Sequence, residues 1–378
     1  MRIIIGTVFC AMAMCWLPYR SAAAGGAEGT APAASGMKLI SRGVGAYASS
    51  GTASNANDAD YNTYWRSRGT PASLAYDLSA VPPANRRSIY LVWYNDPSYG
   101  YDHALVGGPG YDNLGSYTLE ANAAPGGSVP VSGWVTLETV AGNVLHSRDS
   151  VLLFAGYNWV RINASATDGS PGNSDIALNM DVYDAGGGVV DGWLFAGDSI
   201  TATGMGHTNL AVRAESFTNL VGAATGIFPP QQNAGMPGWT SGDMISHLPQ
   251  WLRAFHGKYV TLSLGTNDAA SGGPPRAFYA NMSTLIKQVL SAGKVPLVPT
   301  IPWSRDPTHA RYIPPLNEQI RALYKAYPEV IPGPDLYAYF ERNESYISSD
   351  NVHPSDAGYA AIRTLWAEVA AQAIYRAK

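Results

Sequence analysis

From residue 37 to about residue 183 the chain runs in short apolar or alternating stretches broken by Gly, Pro, Asn and Asp. Residues 88–94 (SIYLVWY), 117–120 (YTLE) and 159–162 (WVRI) are examples. Alternation over a few residues with turn signals between the runs predicts an all-β sandwich, and no long apolar face at helical spacing interrupts it. After Ala185-Gly186-Gly187-Gly188 the pattern changes. Apolar runs at 193–196, 259–264 and 295–300 now alternate with segments of helical periodicity at 278–290, 316–326 and 357–375. Buried strands alternating with helices predict a parallel sheet covered on both faces. Two domains are therefore expected, residues 37–184 and 191–378, joined by a linker at 185–190, with no internal repeat.

The first residues stand apart from both. Met1-Arg2, an apolar stretch from Ile3 to Leu17 and the small residues Ser21-Ala22-Ala23-Ala24 predict a secretory signal peptide over 1–24. The protein is accordingly expected outside the cytoplasm, in a periplasm or the extracellular space. The apolar run is short for a membrane span, so no transmembrane segment is expected once the signal is removed. Residues 25–36 (GGAEGTAPAASG) read as a flexible linker. Both cysteines, Cys10 and Cys15, fall inside the signal segment, which leaves the expected mature chain without disulfides, thiolate nucleophiles or Cys-ligated metals. With 46% hydrophobic and only 14% charged residues over its whole length, the sequence is that of a folded chain and not a disordered one. The net charge of -4 and the lack of any Lys/Arg run argue against a nucleic-acid partner.

Within the second domain, chemistry-bearing residues follow the predicted strands. Gly197-Asp198-Ser199-Ile200 comes directly after the first of them, which sets a serine at the carboxyl end of a strand, the edge where open α/β sheets bind ligands. A serine hydroxyl needs a base to become a useful nucleophile. Asp350-Asn351-Val352-His353-Pro354 supplies a candidate near the C-terminus, before a final helix that Ser355 or Asp356 could cap. An aspartate three residues ahead of a histidine can hold the ring nitrogen that does not face the serine. Acyl transfer also needs donors for a developing oxyanion. Asn233-Ala234-Gly235, following an expected second strand, and Gly265-Thr266-Asn267-Asp268, following the 259–264 strand, offer Gly235 N–H and the Asn267 side chain beside Ser199 N–H.

These blocks, in this order, resemble the SGNH hydrolases, also called GDSL esterases and lipases, over roughly residues 191–378. The resemblance implies a flavodoxin-like α/β fold with a central parallel sheet, Ser199 as nucleophile, His353 as base and Asp350 as its orienter. It further implies an oxyanion hole of Ser199, Gly235 and Asn267. Ile200 stands where the family usually has leucine. Asp198 and Asp268 are expected to organise their turns, and His207, His247, His256 and His309 to be surface or loop histidines. Trp303, Arg305 and Tyr312, after another strand, could line a substrate pocket or belong to an ordinary loop. No metal and no organic cofactor is called for.

The first domain carries residues 59–67 (ADYNTYWRS), 74–79 (LAYDLS), 117–122 (YTLEAN), Trp134 and 159–163 (WVRIN). Over about residues 40–183 these resemble a discoidin, or coagulation-factor type C, domain. That resemblance implies a galactose-binding-like jelly roll of eight strands, with Trp65 in its core. Such domains often bind glycans, and Tyr99, Tyr101 and Tyr111 in a glycine-rich loop could stack on sugar rings. Together the features point to a secreted serine esterase removing O-acetyl groups from a polysaccharide. An O-acetyltransferase, a lipase or lysophospholipase, and a non-enzymatic adhesion protein are the alternatives.

Overall fold

The computed structural model describes residues 36–95, 113–168, 175–205 and 215–376. The expected signal peptide, nearly all of the linker after it, Tyr99, Tyr101, Tyr111 and His207 lie outside the described residues.

The described residues of the N-terminal part form ten strands: β1 (Lys38–Leu39), β2 (Gly45–Ala48), β3 (Trp65–Arg66), β4 (Ala72–Asp77), β5 (Ser88–Asn95), β6 (Leu114–Asn122), β7 (Val135–Val140), β8 (Ser147–Leu153), β9 (Trp159–Thr167) and β10 (Ala177–Asp184). They form two antiparallel five-stranded sheets. One has the order β2-β4-β9-β6-β7; in the other β1-β10-β5-β8 are neighbours and β3 also pairs with β10. The sheets share a core to which Leu74, Tyr76, Leu119 and Ile162 come from the first and Trp65, Ile89, Leu91, Trp93 and Met180 from the second. Trp65 is fully buried, and its indole N–H donates to Ser50 O at 2.6 Å.

The C-terminal part alternates strands β11 (Trp193–Gly197), β12 (Gln231–Gly235), β13 (Tyr259–Ser263), β14 (Val295–Val298) and β15 (Ile331–Pro332) with helices. The helices are α1 (Ser199–Gly204), α2 (Phe217–Thr225), α3 (Ser241–Ala254), α4 (Thr266–Ala270), α5 (Pro275–Ser291), α6 (Pro307–Ala326), α7 (Leu336–Arg342) and α8 (Asp356–Val369). All five strands are parallel in the order β12-β11-β13-β14-β15. The period of two in β11 sorts its side chains between the faces. Trp193 and Phe195 pack with α2, α7 and α8, whereas Leu194 and Ala196 pack with α3, α5 and α6. Chain order reverses beside β11, so the crevice at the carboxyl ends of β11 and β13 is the expected ligand position.

Residues 233–235, expected after the second strand, are the strand itself. Gln231-Gln232-Asn233-Ala234-Gly235 lacks an apolar run because its side chains and outer edge meet polar partners. The stretch expected as a linker is also packed: Ala185 is buried, Val189 and Val190 pack beside it, and Asp191 is fully buried. Residues 33–378 form one compact unit. Leu145, from the turn before β8, is buried in the core of the C-terminal sheet beside Leu248 and Trp251, and the His146 ring meets Trp251 edge to face. The topology changes near residue 185 but the packing does not break there.

Both parts should therefore unfold together, in one urea transition seen alike by tryptophan fluorescence and circular dichroism. Leu145→Ala should lower the stability of the whole unit by about 2–5 kcal/mol. Two separated transitions, with only one of them moved, would contradict a shared core.

Candidate active site

β11 delivers the chain to Ser199 through a tight turn. Asp198 is the N-cap of α1, and its carboxylate accepts the Ile200 N–H at 3.0 Å. Ser199 N–H, in the first turn, has no intrahelical acceptor. Ser199 Oγ lies 2.8 Å from His353 Nε2, and His353 Nδ1 lies 2.7 Å from Asp350 Oδ2. Nδ1–H can thus donate to the carboxylate while Nε2 accepts from the serine hydroxyl.

The loop carrying Asp350 and His353 is tied down at several points. Asn351 adopts φ 68, a left-handed conformation that asparagine tolerates better than most residues. Its carbonyl accepts from Ser304 Oγ at 2.7 Å, Arg305 N–H at 3.0 Å and Asp306 N–H at 3.2 Å. Ser348 N–H donates to His353 O and Ser355 N–H to Tyr346 O, and Ser355 caps α8 through the Gly358 N–H. Asp350 Oδ1 accepts from the Ser348 hydroxyl, Val352 N–H and His353 N–H at 2.7–2.9 Å. Against the push of partial burial, these bonds and the His353 ring hold the Asp350 carboxyl well below the usual carboxylate range. Burial moves Asp198 the other way, up to about 6, in spite of the bonds from Ile200 N–H and Thr266. Asp268, also raised by burial, accepts from Ser241 N–H at 2.9 Å and from the Ser241 hydroxyl at 2.5 Å.

Four expected site residues are placed differently. Gly235 N–H donates to Asn233 Oδ1 at 2.9 Å, and a Cβ at residue 235 would stand 2.2 Å from Ala202 N. Gly235 therefore serves close strand–helix packing, and its N–H is spent. Arg305 directs its guanidinium to Ile347 O and Ser348 O, at 2.9 and 2.7 Å, so it holds the histidine loop where a pocket wall was expected. Trp303 and Tyr312 pack on opposite faces of the sheet and are not brought together with it.

A second glycine, which spacing from the strand does not single out, is Gly238. It is exposed at φ +79 in the Pro237-Gly238 turn, with open space around its Cα. Asn267 Nδ2 donates to Trp239 O at 2.9 Å, which joins this turn to the start of α4 and leaves the second amide hydrogen of Asn267 for another acceptor. Met236 N–H donates to Gly197 O at 2.8 Å, joining the same turn to the serine turn. The Trp239 ring lies against His247, with centroids 4.3 Å apart.

His309 and His256 are not simple surface residues. His309 is buried in the first turn of α6 and pairs with Asp306, three residues earlier, at 2.8 Å, repeating the Asp-x-x-His spacing as a helix cap. His256 pairs with the buried Asp149 at 2.5 Å, and that bond raises its pKa. Among the described residues no group of His, Cys, Asp and Glu is placed to hold a metal, and no helix is long and apolar enough to cross a membrane.

The fold and the row Ser199–His353–Asp350 define the class: an α/β protein with a serine, a histidine and a carboxylate at the carboxyl edge of a parallel sheet. Residues 195–361 match the GDSL-like lipase/acylhydrolase family, and this domain makes the protein a carboxylic ester hydrolase. Similar solved structures include a lipase/acylhydrolase from Enterococcus faecalis, with 23% identity, a TM-score of 0.41, and coverage of 49% of this chain and 97% of that one. The acetylxylan esterase Axe2 from Geobacillus stearothermophilus is 19% identical, with a TM-score of 0.39 and coverage of 47% and 94%. A mutant chitosan-binding module 1 from a chitosanase/glucanase of Paenibacillus sp. IK-5 is 18% identical, with a TM-score of 0.29 and coverage of 39% and 98%. No protein of curated function matches the chain.

The raised pKa of Asp198 has a testable sign. The folded state holds this proton up to about pH 6, whereas an unfolded aspartate releases it near 4, so stability falls as pH rises through that window. Asn keeps the cap and never ionises. Asp198→Asn should therefore be more stable than the parent above pH 6, by up to about 3 kcal/mol, with the difference vanishing below about pH 4. Urea titrations across this range check it, and a pH-independent difference would contradict the assigned cause.

Proposed function

We propose that the protein is a secreted serine esterase that removes O-acetyl groups from a polysaccharide. The observation that carries the serine mechanism is the continuous row from Ser199 Oγ through His353 to Asp350, with links of 2.8 and 2.7 Å. Ser199 attacks the ester carbonyl as His353 Nε2 takes the hydroxyl proton, and Asp350 stabilises the imidazolium that forms. The oxyanion is received by Ser199 N–H, Gly238 N–H and the Asn267 amide. His353 returns its proton to the departing alcohol, and water then releases the acyl group by the same route in reverse. The openness of the site favours a bulky alcohol. The His353 and Asp350 side chains are 39% and 50% exposed, so an ester on a polymer can approach without threading a tunnel. Export through residues 1–24 accords with a polysaccharide substrate, and so does the jelly-roll, glycan-binding reading of the N-terminal sandwich.

The test compares p-nitrophenyl acetate, a long-chain p-nitrophenyl ester and acetylated xylan as substrates. Ser199→Ala should lower kcat/KM by roughly 10⁴-fold or more, and Asp350→Asn by roughly 10²- to 10⁴-fold. Asn267→Ala, which removes a donor, should reduce kcat by about 10²-fold, and Gly238→Ala, which keeps its N–H but strains the φ +79 turn, should lower kcat less, by displacing that N–H. Activity that survives Ser199→Ala would remove the nucleophile. A preference for the long acyl chain would replace the polysaccharide reading with a lipase, and acetyl transfer to a glycan outrunning hydrolysis would replace it with a transferase.

A further inference from the structure

β12 is an edge strand of the parallel sheet, and its outer row of backbone groups faces the β sandwich. Gln231 N–H donates to Tyr94 OH at 3.2 Å, and Asn233 O accepts from Ser147 Oγ at 3.5 Å. Between them Gln232 sends its side-chain amide to Asp149 Oδ2 at 2.6 Å. Tyr94, Ser147 and Asp149 all belong to strands of the sandwich, β5 and β8.

Asp149 is 1% exposed and gathers donors from both halves of the protein. Tyr90 OH reaches it from the sandwich at 2.5 Å; from the hydrolase half come Gln232 Nε2, the His256 N–H at 3.1 Å and His256 Nδ1. A buried carboxylate with this many directed donors fixes their mutual positions, because any displacement leaves a charge short of a partner. It therefore fixes β12 against the segment leading into β13.

From β12 the connection runs to the reacting groups. Gln231 Nε2 donates to Met205 O at 2.5 Å and Asn233 Nδ2 to Ala202 O at 2.9 Å, so the strand holds the helix that Ser199 begins. Asn233 Oδ1 takes the Gly235 N–H, and the chain goes straight on into the turn of Gly238 and Trp239, which Asn267 grips.

We propose that Asp149, in the N-terminal sandwich, is a positioning residue for the oxyanion-binding turn, so that the sandwich is a working part of the esterase site. The inference rests on the serine mechanism above. Asp149 touches no substrate; it acts through Gln232 and β12. Loss of its charge should let the Gly238 turn drift from Asn267 and weaken oxyanion binding while leaving the ground-state complex nearly intact.

The experiment uses the full chain and p-nitrophenyl acetate, with competent sites counted by titration with diethyl p-nitrophenyl phosphate. Asp149→Asn and Gln232→Met should each lower kcat per titrated site by about ten- to a hundredfold. KM should stay within about twofold, because the lost interaction is one made in the transition state. Asp149→Glu should recover part of the rate. Combined with Asn267→Ala, the losses should be less than multiplicative, since both changes strike the same hole. Unchanged kcat per titrated site in Asp149→Asn and Gln232→Met, even with lowered thermal midpoints, overturns the proposal, and so does a fully multiplicative combination with Asn267→Ala. If Asp149→Asn does not fold, Gln232→Met decides. Activity retained by Ser199→Ala would instead remove the mechanism on which the proposal stands, so the two failures are told apart.

Discussion

An edge strand of a parallel sheet leaves a row of N–H and C=O groups without partners, and the arrangement of this protein follows from how β12 meets that demand. Water could satisfy the row, but here it is buried against a second sheet, so its partners must come from protein. Tyr94 and Ser147 supply them through hydroxyls, which can accept or donate as each position requires. That choice makes the outer face of β5 and β8 unlike the outer face of an ordinary sandwich. Tyr90, Val92 and Tyr94 are as buried as Ile89, Leu91 and Trp93 between them. The sandwich thus has two cores, one between its sheets and one against the hydrolase half.

The same need to satisfy buried polar groups sets the loops at the other end of the sheet. Asn351 O, with its several donors from residues 304–306, sews the histidine loop to the segment after β14. Arg305 adds bonds to the carbonyls of Ile347 and Ser348, which a shorter side chain at that position would not reach. A loop so fastened loses little further entropy when a substrate arrives. The geometry of His353 is therefore established before binding, the condition under which electrostatic stabilisation is most effective.

The sequence made some of this legible and concealed the rest. The runs at β11, β13 and β14 are apolar on both faces, and the serine and asparagine blocks after β11 and β13, with the histidine block before the last helix, are enough to single out Ser199, Asn267 and His353 as candidates. β12 was visible only through its neighbours, because Gln231 and Gln232 carry the polarity of a turn while standing in a strand. The same polarity makes Gly235 read as a residue that follows the strand, whereas it ends the strand. The left-handed φ of Gly238, the property that marks it, has no sequence signal beyond the Pro-Gly pair before Trp239. The domain junction did leave one trace. Residues 88–94 do not alternate, and a run apolar at both parities belongs to a strand buried on both faces. A sandwich strand of that kind already implies a second partner. What no local pattern could supply is the identity of that partner, since Asp149, Gln232 and His256 meet only through tertiary contact.

The two carboxylates nearest the serine show how burial divides their roles. Asp198 is fully enclosed, with its hydrogen bonds outweighed by desolvation, and its pKa rises to about 6. Asp350 sits at the surface with backbone and side-chain donors converging on it, and its pKa falls far below the usual range. The second is the one held as an anion, so it can stabilise a charged imidazole without itself taking up a proton. Exchange of these environments would put a protonatable acid behind the histidine and a fixed charge beneath the serine helix. The hydrogen bonds that converge on Asp350 are what keep it ionised, against the push of partial burial. Its position is secured by the hydrogen bonds of the loop, so precision does not require burial there. Asp149 carries the opposite solution, full burial with donors from both halves of the protein, at the junction where position matters.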